Sequence, residues 1–318
     1  MKFWVIFIVV AFFGCHTSSK KHGQDTQNQP KSTVSLYILG TVQDGGSPHI
    51  GCKKECCSQL FENPDPDRKV VSLGVVDHET KKTYLFEASP DITSQLKELK
   101  KRAGTSEETP NGILLTHAHI GHYSGLMYLG REALGAQKVP VYAMPKMENF
   151  LRNNGPWNQL VDLGNIQMIS LVNESELKLS KNFSIVPFTV PHRDEYSETV
   201  GYKLMGPNQS TLFIPDIDKW SKWEKQIVKE IESVDLAFLD ATFFSGEEID
   251  NRDISEIPHP FVIESIELFK NLPETEKAKI HFIHFNHTNP LLNPKSDAHS
   301  NVIQKGFGVA SLGQQFEL

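Results

Sequence analysis

Short apolar segments alternate with polar connections from residue 34 to the end of the chain, which indicates buried strands separated by turns and helices. Helical spacing of apolar residues predicts helices over residues 91–102, 124–136, 146–153, 220–233 and 260–271, and residues 309–318 predict a closing hairpin around Gly313. Strands are predicted over residues 34–39, 70–76, 83–87, 112–116, 139–143, 183–190, 200–205, 210–214, 236–239 and 280–285. Strands followed by helices, twice over, predict an α/β fold in which two mixed sheets pack together with helices outside.

The N-terminal segment differs from the rest of the chain. Lys2 precedes an unbroken apolar run over residues 3–13, which is too short to span a bilayer and is typical of the central region of a signal peptide. The run ends at Gly14-Cys15, which resembles a bacterial lipoprotein signal in which Cys15 becomes the lipidated first residue. An ordinary secretory signal with an incidental Cys15 is the alternative. We expect a signal peptide over residues 1–15 and an exported, membrane-anchored protein on the periplasmic or cell-surface side.

Residues 16–33 are polar and lack apolar periodicity, so they predict a flexible tether that leads into one domain over residues 34–318. The net charge of −7 argues against a general nucleic-acid binder, because neutralising phosphates requires a surplus of Lys and Arg. The expected partners are therefore a small-molecule substrate and, through the lipid anchor, a membrane.

Three cysteines, Cys52, Cys56 and Cys57, lie close together in the chain. An odd number of thiols cannot all pair with one another. One disulfide plus a free thiol is possible in an exported protein, and three thiolates on one metal with one further ligand is the other solution.

A second cluster of candidate ligands follows the apolar run at residues 113–115. His117 and His119 are two apart in extended backbone, so their side chains point to the same side and can bind one metal. His122 lies three residues further on and can face a second metal. His192, Asp216 and His284 also lie at the ends of predicted strands.

This set of residues resembles the metal hydrolases of the metallo-β-lactamase fold, and the resemblance covers residues 34–318. It implies an αββα sandwich and the motif H-x-H-x-D-H, followed by a distant His, a distant Asp and a last His. Carried over to this chain, the resemblance implies two zinc positions. The first has the ligands His117, His119, His192 and Asp216, and the second has Asp216, His122 and His284.

One position departs from the motif, because the expected Asp is Gly121 here. Glycine has no side chain to bind a metal, so the second position is one ligand short. We expect a tight first metal and a second that is weaker or differently filled. Asp44, in the Gly-rich loop over residues 40–51, is a hypothetical replacement suggested by its placement in that loop.

Several segments resemble a narrower branch of the family. Residues 85–92, 240–245, 258–260 and 284–292 are similar to the pyrroloquinoline quinone synthesis protein B, and the cysteines with the His284-x-x-His287 pair are similar to phosphonate-pathway phosphodiesterases. The resemblance implies a structural zinc and a proton-donor pair; a Cys52–Cys57 disulfide with His287 on the surface is the alternative to that zinc. The zinc ligands would be Cys52, Cys56, Cys57 and His287, and the donor pair Asp240 and His259. Glu87, at the end of a strand, is expected to hydrogen-bond the histidine loop.

These features predict a lipid-anchored hydrolase of small esters or phosphodiesters that uses a metal-bound hydroxide, with Zn as the metal and Mn or Fe as alternatives. Two other functions stay open. One is an iron-dependent redox enzyme like the quinone-synthesis protein, and the other is a non-enzymatic binding lipoprotein with a degenerate metal site.

Overall fold

The computed structural model describes residues 1–2, 4, 33–249 and 253–318. The predicted lipidation site Cys15 lies outside these residues, as do most of the predicted signal peptide and the tether. No helix in the described part of the chain has the length and apolar content needed to cross a membrane.

The first half of the chain forms most of one sheet. Its strands run in the order β14-β1-β2-β3-β4-β5-β6, where β14 is the last strand of the chain. The pairs β14–β1, β1–β2 and β2–β3 are antiparallel, and the pairs from β3 to β6 are parallel. The strands are Val34–Gly40 (β1), Ser72–Asp77 (β2), Lys82–Phe86 (β3), Gly112–Leu114 (β4), Val139–Ala143 (β5) and Ile166–Ser170 (β6).

The second half forms the other sheet, in the order β13-β12-β11-β10-β9-β8-β7. The pairs from β10 to β13 are parallel, and those from β7 to β10 are antiparallel. The strands are Leu177–Lys178 (β7), Ser184–Thr189 (β8), Val200–Met205 (β9), Ser210–Ile214 (β10), Leu236–Asp240 (β11), Ile280–Ile283 (β12) and Gly308–Val309 (β13); Gln315–Glu317 (β14) joins the first sheet.

Helices cover the outer faces of both sheets. Strand β1 shows the layering, because Leu36 and Ile38 pack into the core between the sheets, whereas Tyr37 and Leu39 pack into the core beneath the outer helices. The helices are Glu55–Glu62 (α1), Ile92–Ala103 (α2), Ile120–Tyr123 (α3), Pro145–Asn153 (α4), Trp157–Asp162 (α5), Ile227–Glu232 (α6), Val262–Phe269 (α7), Glu274–Lys277 (α8) and Asp297–Gln304 (α9). The predicted αββα sandwich is confirmed.

Three local predictions are wrong. Residues 309–318 form no hairpin, because β13 pairs with β12 in one sheet and β14 pairs with β1 in the other. The helix expected over residues 124–136 is a 3-10 helix that ends at Leu129, where Gly130 turns to extended backbone. The helix expected over residues 220–233 is divided, because the buried Trp223 is extended and breaks it before α6.

The topology brings the candidate ligands to one edge of the sandwich. Glu87 follows β3, and the histidine motif follows β4. Asp216 and His284 follow β10 and β12, and Asp240 is the last residue of β11. Because β3–β4 and β10–β11–β12 are parallel, their carboxyl ends meet at the edges where ligands bind in α/β folds.

Candidate metal centre

Four predicted ligands converge at the first position. The Asp216 Oδ2 atom lies 3.3 Å from His117 Nε2, 3.3 Å from His192 Nε2 and 3.8 Å from His119 Nδ1. His117 Nε2 and His119 Nδ1 are 2.8 Å apart. Two ligands at about 2.0 Å from a tetrahedral zinc are about 3.3 Å apart, so these separations match the edges of a zinc coordination shell.

A second group of ligand atoms lies beside the first. The Asp44 Oδ1 atom is 2.8 Å from His122 Nε2 and 3.8 Å from His284 Nε2. His122 Nε2 is also 4.0 Å from Asp216 Oδ2, which belongs to the first group. Asp216 therefore lies between two sets of ligands, and Asp44 occupies a place in the second set.

Several buried polar atoms of this region have no hydrogen-bond partner and are placed where metal ions could bind them. Among the buried side-chain atoms of the described residues that have no hydrogen-bond partner, six belong to these two groups: Asp44 Oδ1, His122 Nε2, both ring nitrogens of His192, Asp216 Oδ1 and His284 Nε2. An unsatisfied buried polar atom costs about 1–3 kcal/mol. Two divalent cations would satisfy most of these atoms at once, so the residues present fit a dinuclear metal centre.

Neighbouring imidazoles keep both carboxylates ionised. Burial alone would raise the pKa of Asp216, but His192 and His259 hold it well below its usual range. Burial would likewise raise the pKa of Asp44, and contacts with His122 and His284 hold it well below its usual range. Both side chains are therefore in the ionised form that binds a metal.

Residues behind the ligands orient the imidazoles. Glu87 Oε1 lies 3.2 Å from His122 Nδ1 and accepts a 2.6 Å hydrogen bond from the Thr116 hydroxyl. That hydroxyl is also 2.9 Å from His117 Nδ1, and the Thr242 hydroxyl is 2.9 Å from His284 Nδ1. Sequence reasoning did not identify the two threonines; their only local signal is that each lies within two residues of a site residue.

We expect Glu87→Gln to weaken binding of the second metal about 10–100-fold, because the amide loses the charge that fixes the proton on His122 Nδ1. Zinc titration of metal-free protein by calorimetry measures this. Glu79→Gln, in a turn at the surface, is the control. Unchanged affinity in Glu87→Gln would show that Glu87 does not act through His122.

His259 and Asp240 form a dyad beside the centre. His259 Nδ1 lies 2.9 Å from Asp240 Oδ2 and 3.1 Å from Asp216 Oδ1. Asp240 is fully buried, and its oxygens also accept bonds from the Ile217 amide and from the amide and hydroxyl of Thr242. The side chain of His259 is 10% exposed and that of Asp240 is not exposed at all, so only His259 can meet a substrate and Asp240 acts through it as a positioning residue.

The charges around His259 favour its protonated form. Burial alone lowers the pKa of this imidazole, but the carboxylates of Asp240 and Asp216 outweigh it and raise the pKa to about 10. The ring lies 5.4 Å from that of His192 and 6.3 Å from that of His284, measured between centroids. His259 is thus placed between the two ligand groups.

The loop after His192 contacts the first ligand group through the exposed side chain of Glu195. Glu195 Oε2 is 3.2 Å from His119 Nε2, the ring nitrogen that faces away from the first group. Asp194 instead accepts a 2.8 Å hydrogen bond from the Thr199 hydroxyl. Glu195 therefore orients a metal ligand, and Asp194 supports the loop.

Residues 82–283 match the family model described as the Beta-lactamase superfamily domain, which is more than half of the chain. The chain belongs to the beta-lactamase superfamily. The matched region contains five of the predicted metal ligands and the dyad, whereas Asp44 and His284 lie outside it. Because the superfamily match begins after Asp44, the family pattern alone could not indicate that residue.

Three comparisons with known proteins, one of sequence and two of structure, cover nearly the whole chain. Coenzyme PQQ synthesis protein B of Methylorubrum extorquens is 24% identical, over 90% of this chain and 100% of that protein. The crystal structure of Zn(2+)-bound PqqB from Methylobacterium extorquens superposes with a TM-score of 0.73 at 20% identity, over 89% of this chain and 100% of that one. A diphosphatase of the PhnP family has a TM-score of 0.62 at 22% identity, over 90% and 97% of the two chains.

This beta-lactamase superfamily chain also carries a separate thiol-rich group. Ligand atoms of Cys52, Cys57 and His287 lie within 4.8 Å of one another, and Cys56, which is exposed, is not part of that group. The thiols of Cys52, Cys56 and Cys57 are free, so the alternative Cys52–Cys57 disulfide is not formed. Burial, then the charges of His49 and Lys54, lower the pKa of His287 to about 4, which leaves its imidazole neutral and able to bind zinc.

We expect Cys57→Ser to release one metal ion per chain, because Cys57 is the buried member of this group. Metal analysis of dialysed protein measures the loss. Ser58→Ala, on the same helix, is the control and should retain every metal. Full metal content in Cys57→Ser would exclude a structural metal here, and Cys56→Ser tests whether Cys56 is the fourth ligand.

Proposed function

We propose that the chain is a metal-dependent hydrolase of small phosphodiesters or related esters. The observation that carries this proposal is the position of Asp216 between two ligand groups, with its Oδ2 atom 3.3 Å from His192 Nε2 and 4.0 Å from His122 Nε2. Paired divalent metals that share a carboxylate are suited to displacements at phosphorus, because they stabilise both the attacking and the leaving oxygen.

When bound, the metals would lower the pKa of water to about 7 and polarise an oxygen of the substrate. The chain itself supplies orientation and a proton. Asp240 fixes the tautomer and angle of His259, whose remaining ring nitrogen is the donor available to a leaving group. With metals bound, the histidine ligands would be neutral, and two divalent ions held by the carboxylates of Asp44 and Asp216 would keep a net positive charge that favours an anionic phosphate ester.

A direct assay uses bis(p-nitrophenyl) phosphate and the purified domain with Zn, Mn or Fe added to metal-free protein. Zinc- or manganese-dependent release of p-nitrophenol supports the proposal. A carboxyl ester, p-nitrophenyl acetate, run in parallel separates phosphodiesters from simple esters. Inactivity with every metal and both substrates would overturn the proposal and favour a binding protein.

A second candidate function, an iron-dependent redox enzyme, is suggested by the similarity to Coenzyme PQQ synthesis protein B, which extends over the full length of that relative. An iron-loaded redox enzyme of this kind would consume oxygen in the presence of an oxidisable substrate. We expect no iron-dependent oxygen uptake, because the first ligand group combines three histidines and one carboxylate and leaves fewer open positions than the two-histidine, one-carboxylate sites of iron oxygenases. An oxygen electrode checks this.

We also propose that the enzyme is exported and anchored through Cys15, which the apolar run and the Gly14-Cys15 junction support. Cys15→Ser should move the protein from the membrane fraction to the soluble fraction, because no acyl chain can be attached. Fractionation of cells followed by immunoblotting measures this, with Ser18→Ala as the control. Wild-type protein in the soluble fraction would exclude lipidation at this residue.

A further inference from the structure

The gap left by Gly121 is occupied by another part of the chain. A Cβ atom built on Gly121 would lie 2.2 Å from Asp44 Oδ1, 2.9 Å from Asp44 Cγ and 2.6 Å from Asp44 Cα. A Cβ atom does not approach a non-bonded atom this closely, so residue 121 can carry no side chain while Asp44 is in place. The space in which the motif aspartate would begin is filled by the side chain and backbone of Asp44.

Backbone hydrogen bonds fix Asp44 in this position. Gln43 N donates to Phe285 O at 2.8 Å, and Phe285 N donates to Thr41 O at 2.7 Å. Val42 forms parallel bridges to Phe285 on one side and to Val70 on the other. The chain just before Asp44 is thus paired with the residue just after His284, and this pairing sets the Asp44 carboxylate near the imidazole of His284.

The Asp44 carboxylate lies among the atoms that would bind the second metal. Its Oδ1 atom is 2.8 Å from His122 Nε2, and both atoms are among the buried polar atoms of the described residues for which no hydrogen-bond partner is found. The His284 Nε2 atom, 3.8 Å from the same oxygen, is also without a partner. Three ligand atoms without hydrogen-bond partners, all within 4.8 Å of one another, indicate a cation between them.

We propose that Asp44 has taken over the role of the missing motif aspartate, so that the second metal is bound by Asp44, His122, His284 and the shared Asp216. The second metal would thus still be bound by a carboxylate of the same charge, but this carboxylate comes from the Gly-rich loop instead of the histidine loop. It follows that the second position is not degenerate. The inference rests on the proposed dinuclear centre but not on the identity of the substrate.

The test measures metal binding, so that it is independent of turnover. Metal-free wild-type protein, Asp44→Asn and Asp44→Ala are titrated with Mn(II) and followed by calorimetry and by electron paramagnetic resonance. We expect the metal affinity of the second site to fall at least about 100-fold in both variants, while the affinity of the first site is unchanged. This loss exceeds the loss of about 10–100-fold expected when a residue that only supports a ligand is changed. The spectrum should change from a spin-coupled manganese pair to a single isolated ion.

Asp65→Ala, an exposed carboxylate on the connection between β1 and β2, is the control and should bind as the wild type does. Two sites of unchanged affinity in Asp44→Ala would overturn the proposal. If a variant fails to fold, anomalous scattering from Mn-soaked wild-type crystals locates the metal and gives its distance from Asp44 Oδ1. A Mn–Oδ1 distance of about 2.2 Å supports Asp44 as a ligand, and a distance above about 3 Å overturns it. A wild-type protein that binds two metals but hydrolyses no ester would overturn the proposed function alone.

Discussion

Asp216→Ala should abolish phosphodiester hydrolysis and lower the affinity of both active-site metals. Its Oδ2 atom lies within 4.0 Å of ligand nitrogens from both groups, so one truncation removes a ligand from each. A metal centre supplies several kcal/mol of transition-state stabilisation, and we therefore expect a loss of at least about 1,000-fold in kcat/KM. Initial rates on bis(p-nitrophenyl) phosphate and zinc titration of the same sample measure both effects.

Asp218→Asn is the matched control for this prediction. Asp218 lies in the same turn and pairs with Lys222 at 2.7 Å, away from the ligand atoms. It should retain metal and activity within a few-fold. An Asp216→Ala variant that keeps two tight metals would contradict the shared carboxylate, even if its activity were lost.

His259→Gln should slow hydrolysis in a manner that depends on the leaving group. p-Nitrophenolate departs without a proton, whereas an alkoxide needs one, and His259 is the proton donor that the dyad presents to the site. We expect a loss of about 100-fold or more in kcat on a dialkyl-type phosphodiester and a much smaller loss on bis(p-nitrophenyl) phosphate. Metal content should be unchanged, because His259 Nδ1 faces Asp216 Oδ1 and Asp240 Oδ2, whereas the ligands proposed for the two metals converge on Asp216 Oδ2 and Asp44 Oδ1.

Asp240→Asn should show the same leaving-group dependence with a smaller loss, because Asp240 affects the proton donor through its contact with His259. His78→Ala, near the far end of the sheet, is the control. Equal losses on both substrates would mean that His259 supports the structure of the centre and does not donate the proton.

Much of the fold could be predicted from the local pattern of apolar and polar residues. Alternating apolar residues located the long strands, since β1, β5, β9 and β10 lie within one residue of their predicted bounds. Short elements such as β7 and β13 were not predicted, because two residues carry no periodicity. The hairpin over residues 309–318 was wrong, because each of its halves pairs with a strand distant in sequence, and local pattern does not report the partner.

The sequence by itself determined which residue types could bind metal and that they lie at the ends of strands. His117, His119 and His122 are neighbours in the chain, so their spacing alone indicates a shared site. Only the tertiary structure decided that Asp44 fills the position opened by Gly121 and that Asp240 lies behind His259. These pairings depend on the isolated bridge between Val42 and Phe285, which lie just after β1 and β12, and on the packing of separate loops at one edge. Such long-range contacts form only when the two sheets come together, so no local spacing encodes them.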